Sequence, residues 1–340
     1  MNTGHFLTEQ TYISTGEPVG SRMLSKHEGV DLSPATLRNI MTDLTQKKLL
    51  EQPHTSAGRI PTDKGYRLYV DYRIPNQDIP VQTAERPLQL LPENSEKPDG
   101  IFRAVVDYLS GETKFMAVLT TPCPLDTVFK KLEFIRLSEN RIVIVILTVA
   151  GMVFHKTVYL RDRIDDAILH EVSDMMTARF CDSSFRDIRE NLSVVFSEDS
   201  GQENLRFSPV IRLCRKAFSV NEHGDLFSSG FENIYRMDSK IDHVYLSEFF
   251  RVMSDQQPII RVLEQNAKQS HVSILIGDET NIEELSRFAL VAAPYGTSHR
   301  QLGSVGVIGP KRMSYDRVCG LIKDTADRLS NELNAMMTHL

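Results

Sequence analysis

Arg38, Asn39, Thr42 and Gln46 lie together on one side of a helical stretch whose other side is apolar. Leu37, Ile40, Met41 and Leu44 recur at i, i+3, i+4 and i+7, the spacing of one buried helix face. At about 100° per residue the opposite face carries Ala35, Asn39, Thr42 and Gln46, flanked by Thr36, Arg38 and Asp43. These types can read base edges in a DNA major groove. Asn and Gln pair bidentately with adenine, Arg with guanine, and Ala or Thr methyls touch the thymine methyl. A serine-capped amphipathic helix also suits a protein–protein module, so the face alone leaves both readings open.

The helix needs a start, a partner and a connection. Ser33-Pro34 supplies the start: serine caps free N–H groups, and proline fits the first helical position, where no donor is required. Val19 to His27 reads as a second short helix, separated from Ser33 by Gly29-Val30-Asp31. Leu49 to Gln52 and Arg59-Ile60 read as extended pieces around the polar tip Pro53 to Gly58. Two strands with such a tip look like the wing of a winged helix-turn-helix, whose role is phosphate or minor-groove contact. Thr62-Asp63 then starts another helix, Lys64 to Tyr72.

Other chemistry is weaker. Gly303, Gly306 and Gly309 ahead of Lys311 have the wrong spacing for a phosphate loop, Pro310 intervenes, and no Ser or Thr follows the lysine. They read as glycines at strand ends and turns. His170 and Asp174, at i and i+4, offer two metal ligands without a third. Cys123, between Pro122 and Pro124, has no base to activate it. Neither catalysis nor a cofactor nor a metal is expected.

Composition bounds the class. Apolar residues make up 41% and charged residues 25% of 340, which excludes a disordered chain, a collagen-like fibre and a disulfide mini-protein. The most apolar run, Ile142 to Phe154, is too short for a membrane span. The start MNTGHFLTEQ lacks the features of a signal peptide. Cys123, Cys181, Cys214 and Cys319 form no C-x-x-C pair. The expectation is a reduced, soluble, cytoplasmic protein with no membrane partner. The net charge is −6, yet Arg22 to Arg67 holds eight Lys/Arg and five Asp/Glu. A net +3 there on an acidic body fits DNA binding confined to one end, though the excess is small.

Along the chain, Ile74 to Gly100 carries five prolines in 27 residues and reads as a linker. Ile101 to Leu109 predicts a helix, and Lys131–Leu137, Arg141–Val149 and Met152–Leu160 predict an antiparallel meander. Helical spacing follows over Ile164 to Phe180, Val244 to Phe250 and Ile259 to Asn266. Strand character returns at Val272–Ile276, Phe288–Ala293 and Gln301–Ile308, before a final amphipathic helix, Tyr315 to Met337. Strands, a helical block, then strands again predict an α+β fold, one sheet domain with an insertion.

Three runs carry a family resemblance. Tyr12-Ile-Ser-Thr-Gly-Glu-Pro-Val-Gly-Ser-Arg22, Leu32-Ser-Pro-Ala-Thr-Leu-Arg-Asn39 and Leu49-Leu-Glu-Gln-Pro-His-Thr-Ser-Ala-Gly-Arg-Ile-Pro-Thr-Asp-Lys-Gly-Tyr-Arg67 resemble the heat-inducible transcription repressor HrcA family of bacteria. Leu109-Ser-Gly-Glu-Thr113, Ile274-Leu-Ile-Gly277 and Gly303-Ser-Val-Gly-Val-Ile-Gly-Pro-Lys-Arg-Met-Ser-Tyr315 agree with it. The resemblance implies a winged helix-turn-helix over 1–73 and a proline-rich linker over 74–100. It implies a GAF-like antiparallel-sheet domain over 101–164 and 269–340, interrupted by a dimerisation domain over 165–268. It further implies a homodimeric repressor of chaperone operons that binds double-stranded DNA at an inverted-repeat operator, CIRCE, loses activity on heat stress and is modulated by the chaperonin GroEL.

Carried over by position, Thr36, Arg38, Asn39 and Thr42 read bases, with Ser21, Arg22, His54, Thr55, Ser56 and Arg59 near phosphates. Ser33 and Gln46 complete the candidate DNA-binding set. The chain departs from the family ahead of Tyr12, where eleven residues with Phe6 and Leu7 as almost their only apolar side chains predict a truncated first helix. Two other readings stay open: a regulator gated by a small molecule in the GAF-like domain, and a chaperone-binding protein whose shortened module has lost DNA affinity.

Overall fold

Thirteen residues, Thr3–Thr15, form the first helix, α1, in the stretch whose few apolar side chains predict a short one. Its inner face is largely polar, with Thr8, Glu9 and Thr11 buried beside Leu7 and Tyr12, and apolar spacing therefore underestimates it. The computed structural model describes residues 3–27, 30–54, 57–74, 98–149, 153–160, 164–195, 202–237, 243–297 and 300–338. Most of the proline-rich stretch expected as a linker lies outside them. After α1 come α2 (Ser21–Leu24), α3 (Pro34–Gln46), β1 (Leu50–Glu51), β2 (Ile60–Pro61) and α4 (Asp63–Arg73). The two strands form an antiparallel ribbon, with Leu50 opposite Pro61 and Glu51 opposite Ile60. Val19, Leu24, Leu37, Met41, Leu44, Leu49 and Leu50 make one small core beneath these elements. Truncating a fully buried leucine such as Leu37 removes roughly 2–5 kcal/mol, a large share of the stability of so small a core.

The chain continues through α5 (Pro98–Thr113), β3 (Met116–Thr120), β4 (Phe129–Ser138), β5 (Arg141–Thr148), β6 (Val153–Tyr159), α6 (Asp166–Phe180), α7 (Phe185–Val195) and α8 (Gln202–Ala217). Then follow β7 (Leu226–Ser229), α9 (Phe231–Met237), α10 (His243–Ser254), α11 (Gln257–Ala267), β8 (Ser273–Ile276), β9 (Phe288–Thr297), β10 (Arg300–Pro310) and α12 (Tyr315–Thr338). Among the described residues every strand pair is antiparallel, so the fold is α+β.

A five-stranded sheet runs β7-β3-β10-β9-β8. All five residues of β3 are buried, as expected of a central strand covered on both faces. Met116, Val118, Leu290, Ala292 and Ile308 pack on one face against Ile234, Phe249, Ile259 and Leu263 of α9, α10 and α11. On β9, Tyr295 meets Phe102 of α5 with ring centroids 6.2 Å apart, and the Gly296 N–H donates to Ser330 of α12. Of the three glycines read as lying at strand ends and turns, Gly309 is at the end of β10, and Gly303 and Gly306 lie within it. A side chain there would run into Thr120 O, Val291 O and the Phe115 ring, so the strand needs their bareness to pack.

Contacts divide the chain into two compact units, Met1–Thr120 with Leu226–Asn331, and Thr121–Asp225 with Glu332–Leu340. The second holds the three-stranded sheet β4-β5-β6. Leu132, Ile142, Ile144, Ile146 and Val158 of the meander share one core with Val172, Met176, Phe180, Phe185 and Val210 of α6, α7 and α8. On the edge of β4, Ser173 Oγ donates to Leu132 O and the Leu132 N–H donates to Thr177 Oγ1. The larger sheet is completed by β3 and β7, neither of which periodicity flags. Among the described residues no helix is long and apolar enough to cross a membrane.

Candidate nucleic-acid interface

The base-reading candidates share α3. Ser33 caps it, accepting from the Thr36 N–H at 3.1 Å, and the two hydroxyl oxygens stand 2.9 Å apart. Ser33 and Thr36 thereby spend much of their bonding capacity on the helix start. Thr42 Oγ1 donates to Arg38 O at 2.9 Å, which satisfies its hydroxyl within the helix. Ser33, Thr36, Arg38, Asn39, Thr42 and Gln46 are all exposed, while Leu37, Met41 and Leu44 are buried beneath them. The geometry is a helix seated on its apolar side, with the adjacent Arg38 guanidinium and Asn39 amide on its free side and a second amide, Gln46, about two turns further on.

The phosphate candidates divide. Ser21 opens α2 half-buried and Arg22 is exposed beside it. His54 is exposed at the ribbon tip; Thr55 and Ser56 lie outside the described residues. Arg59 is half-buried, and its backbone is pinned on both sides: the Arg59 N–H donates to Val19 O at 2.8 Å, and the Val19 N–H to Arg59 O at 2.9 Å. Val19 precedes α2 by two residues, so this bridge joins the ribbon to the helix carrying Ser21 and Arg22. Gly58 makes that approach possible, since a Cβ there would stand 2.5 Å from Val19 O.

Two kinds of residue escaped sequence reasoning. Gln52 faces Arg59 across the ribbon and accepts a hydrogen bond from Arg59 Nη1. The alternation of the two strands is the signal that pairs them. The second kind ties α4 to the sheet domain. Lys311 is paired with Asp63, Arg73 Nε donates to Asp316 Oδ2 at 2.9 Å, and Arg67 reaches Glu279 and Ile274 O. Gly277, at φ +55°, gives Asp63 and Lys311 room to meet. No local motif announces such partners.

The electrostatics follow from these contacts. Burial works against ionising Glu279, but hydrogen bonds from Arg67 and the Ile276 N–H outweigh it and hold the carboxyl below the usual range. Burial pushes the Tyr66 phenol up, and nearby Tyr12 and Tyr315 add to that. In the second unit His170 and Asp174 stand 3.7 Å apart on an exposed surface. Among the described residues no three His, Cys, Asp or Glu side chains gather as metal ligands.

Residues 99–319 match the family model described as HrcA protein C terminal domain. The heat-inducible transcription repressor HrcA of Thermodesulfovibrio yellowstonii is 29% identical over 96% of this chain and 94% of its own. A crystal structure of a hypothetical protein, 22% identical, covers 98% of this chain and 97% of that one at a TM-score of 0.59, which is a likeness of fold. With the model spanning well over half of the residues and the curated relative nearly all of them, the chain belongs to the heat-inducible transcription repressor HrcA family.

Proposed function

We propose that this protein represses heat-shock (chaperone) operons by binding a CIRCE-type inverted repeat in double-stranded DNA as a homodimer, and releases it on heat stress. In this reading α1 to α4 with the ribbon form a winged helix-turn-helix, α3 enters the major groove, and the ribbon is the wing. Asn39, Arg38, Thr42 and Thr36 face base edges, Ser21, Arg22, His54, Thr55, Ser56 and Arg59 lie near phosphates, and Ser33 and Gln46 complete the DNA-binding set. The five-stranded sheet with its helices is the GAF-like domain, and the insertion carries dimerisation. The same reading takes GroEL as its modulator and the cytoplasm as its location, as the family resemblance implies.

The observation that carries the reading is the face of α3, where every candidate base reader is exposed while Leu37, Met41 and Leu44 of the opposite face are buried and Ile40 is half-buried beside them. A two-fold dimer presents two such helices about one DNA turn, or a multiple of it, apart, matching an inverted repeat. Fluorescence anisotropy with a labelled inverted repeat and a scrambled duplex, across a salt series, tests it. Preference for the repeat of about 10³-fold or more supports the repressor. Equal, weak and steeply salt-dependent binding to both duplexes contradicts specific readout.

A further inference from the structure

We infer that Gln52 is a positioning residue for the wing, holding the Arg59 guanidinium ready for a backbone phosphate. The inference rests on the wing reading above. Glu51 and Ile60 are opposite one another in the ribbon, so Gln52 and Arg59 form the next cross-strand step toward the tip. The Gln52 amide is used at both ends. Its Nε2 donates to Ala57 O at 3.0 Å, which braces the tip, and its Oε1 accepts from Arg59 Nη1.

Two features make this a device for presenting charge rather than hiding it. Arginine has five N–H donors in a planar fork, and one bond to a neutral amide leaves the others to a ligand. The Arg59 backbone is already fixed by Val19, so holding one Nη group defines the direction of the whole fork. Less side-chain freedom is then lost when phosphate binds. The amide also leaves the positive charge intact. A carboxylate at position 52 would orient the fork equally well and cancel its attraction for an anion. The neighbouring carboxylate, Glu51, is one residue along the strand and so projects to the other face of the ribbon.

The test is a salt series of duplex binding with Gln52→Ala, Gln52→Glu, Arg59→Ala and the Gln52→Ala/Arg59→Ala double variant. Gln52→Met, which keeps the side-chain length and loses both bonds, serves as a second variant if alanine loosens the ribbon. Gln52→Ala should weaken binding roughly threefold to tenfold with an unchanged salt slope, because the number of phosphate contacts is the same. Arg59→Ala should lower the slope by about one, Gln52→Glu should lower it too, and Gln52→Ala should add nothing once Arg59 is gone. An equal loss with and without Arg59, or no loss at all, overturns the positioning role. Side-chain 15N NMR reads the clamp with no DNA present: rotation of the Arg59 Nη groups should be slow in the parent protein and fast in Gln52→Ala. Fast rotation in the parent overturns the clamp itself. Slow rotation in a parent that binds neither duplex overturns the wing reading, and with it the role toward phosphate.

Discussion

Arg67 of α4 and Glu279, in the turn after β8, stand 212 residues apart in the chain, and Arg67 Nε donates to Glu279 Oε1 at 2.9 Å. The pair is part of a charged seat. The same arginine reaches Ile274 O, and Asp63 and Arg73, at the two ends of α4, engage Lys311 and Asp316. Because α4 follows directly on the ribbon, the seat fixes where the ribbon and α3 stand against the five-stranded sheet. Contacts of this kind weaken with salt and with acid, whereas the apolar core under α3 does not. The orientation of the candidate interface and its internal fold therefore respond to different conditions.

Glu279→Gln should cost about 1 kcal/mol of stability at neutral pH, the modest figure reflecting side chains 30% and 36% exposed. The sign of the pH dependence is set by a folded pKa below the unfolded one. Stability from Glu279 is fully present above the ordinary glutamate pKa of about 4.3 and is lost as pH falls through the lower folded value. Chemical denaturation of parent and variant should give a constant difference between pH 8 and about pH 5 that shrinks toward zero in stronger acid. A difference that persists undiminished in acid would mean that the carboxylate charge is not what the seat uses.

Asn39→Ala should weaken binding to the repeat by about 1–3 kcal/mol and relax preference at one base position. Competition with single-base operator variants measures it. If affinities for the repeat and for scrambled DNA fell by the same factor, Asn39 would be contacting the backbone or supporting the fold.

The α3 helix, the final helix and the meander are legible in the sequence because each buries apolar residues at the period of its own geometry, Leu37, Met41 and Leu44 on α3 and Ile142, Ile144 and Ile146 on β5. The first helix is less legible because Thr8, Glu9 and Thr11 occupy its inner face. β3 and β7 have no period to read: Met116–Thr120 is buried throughout, and Leu226–Ser229 is four residues long. Within the candidate interface the outer face of α3 follows from helix geometry alone. Partners that meet only after folding, such as Arg67 with Glu279, carry no mark at either end.

Gly58→Ala should break the bridge between the ribbon and Val19, because the added Cβ would sit against Val19 O and the backbone on one side must move. A displacement of that kind costs roughly 1–3 kcal/mol locally. Amide hydrogen exchange at Val19 and Arg59 should accelerate, and affinity for all duplexes should fall while base preference on α3 is kept. Unchanged protection at both amides would show that the ribbon accommodates a side chain there.

If the dimerisation proposed for 165–268 lies in the part of the chain that leaves the sheet after Thr120 and returns at Leu226, removal of 121–225 should leave a folded, DNA-competent monomer. Thr120 and Leu226 are cross-strand partners at the ends of β3 and β7, so the insertion leaves and re-enters the sheet at one hairpin end. A two-residue Asn-Gly turn can close that gap without disturbing the register of either strand. Sedimentation should then give a monomer, with binding to the inverted repeat reduced toward that of a single half-site because the two recognition helices are no longer linked. A dimer surviving the deletion would place the self-association surface on the α1–α4 module or the five-stranded sheet, and the spacing of the two α3 helices would have to be set there.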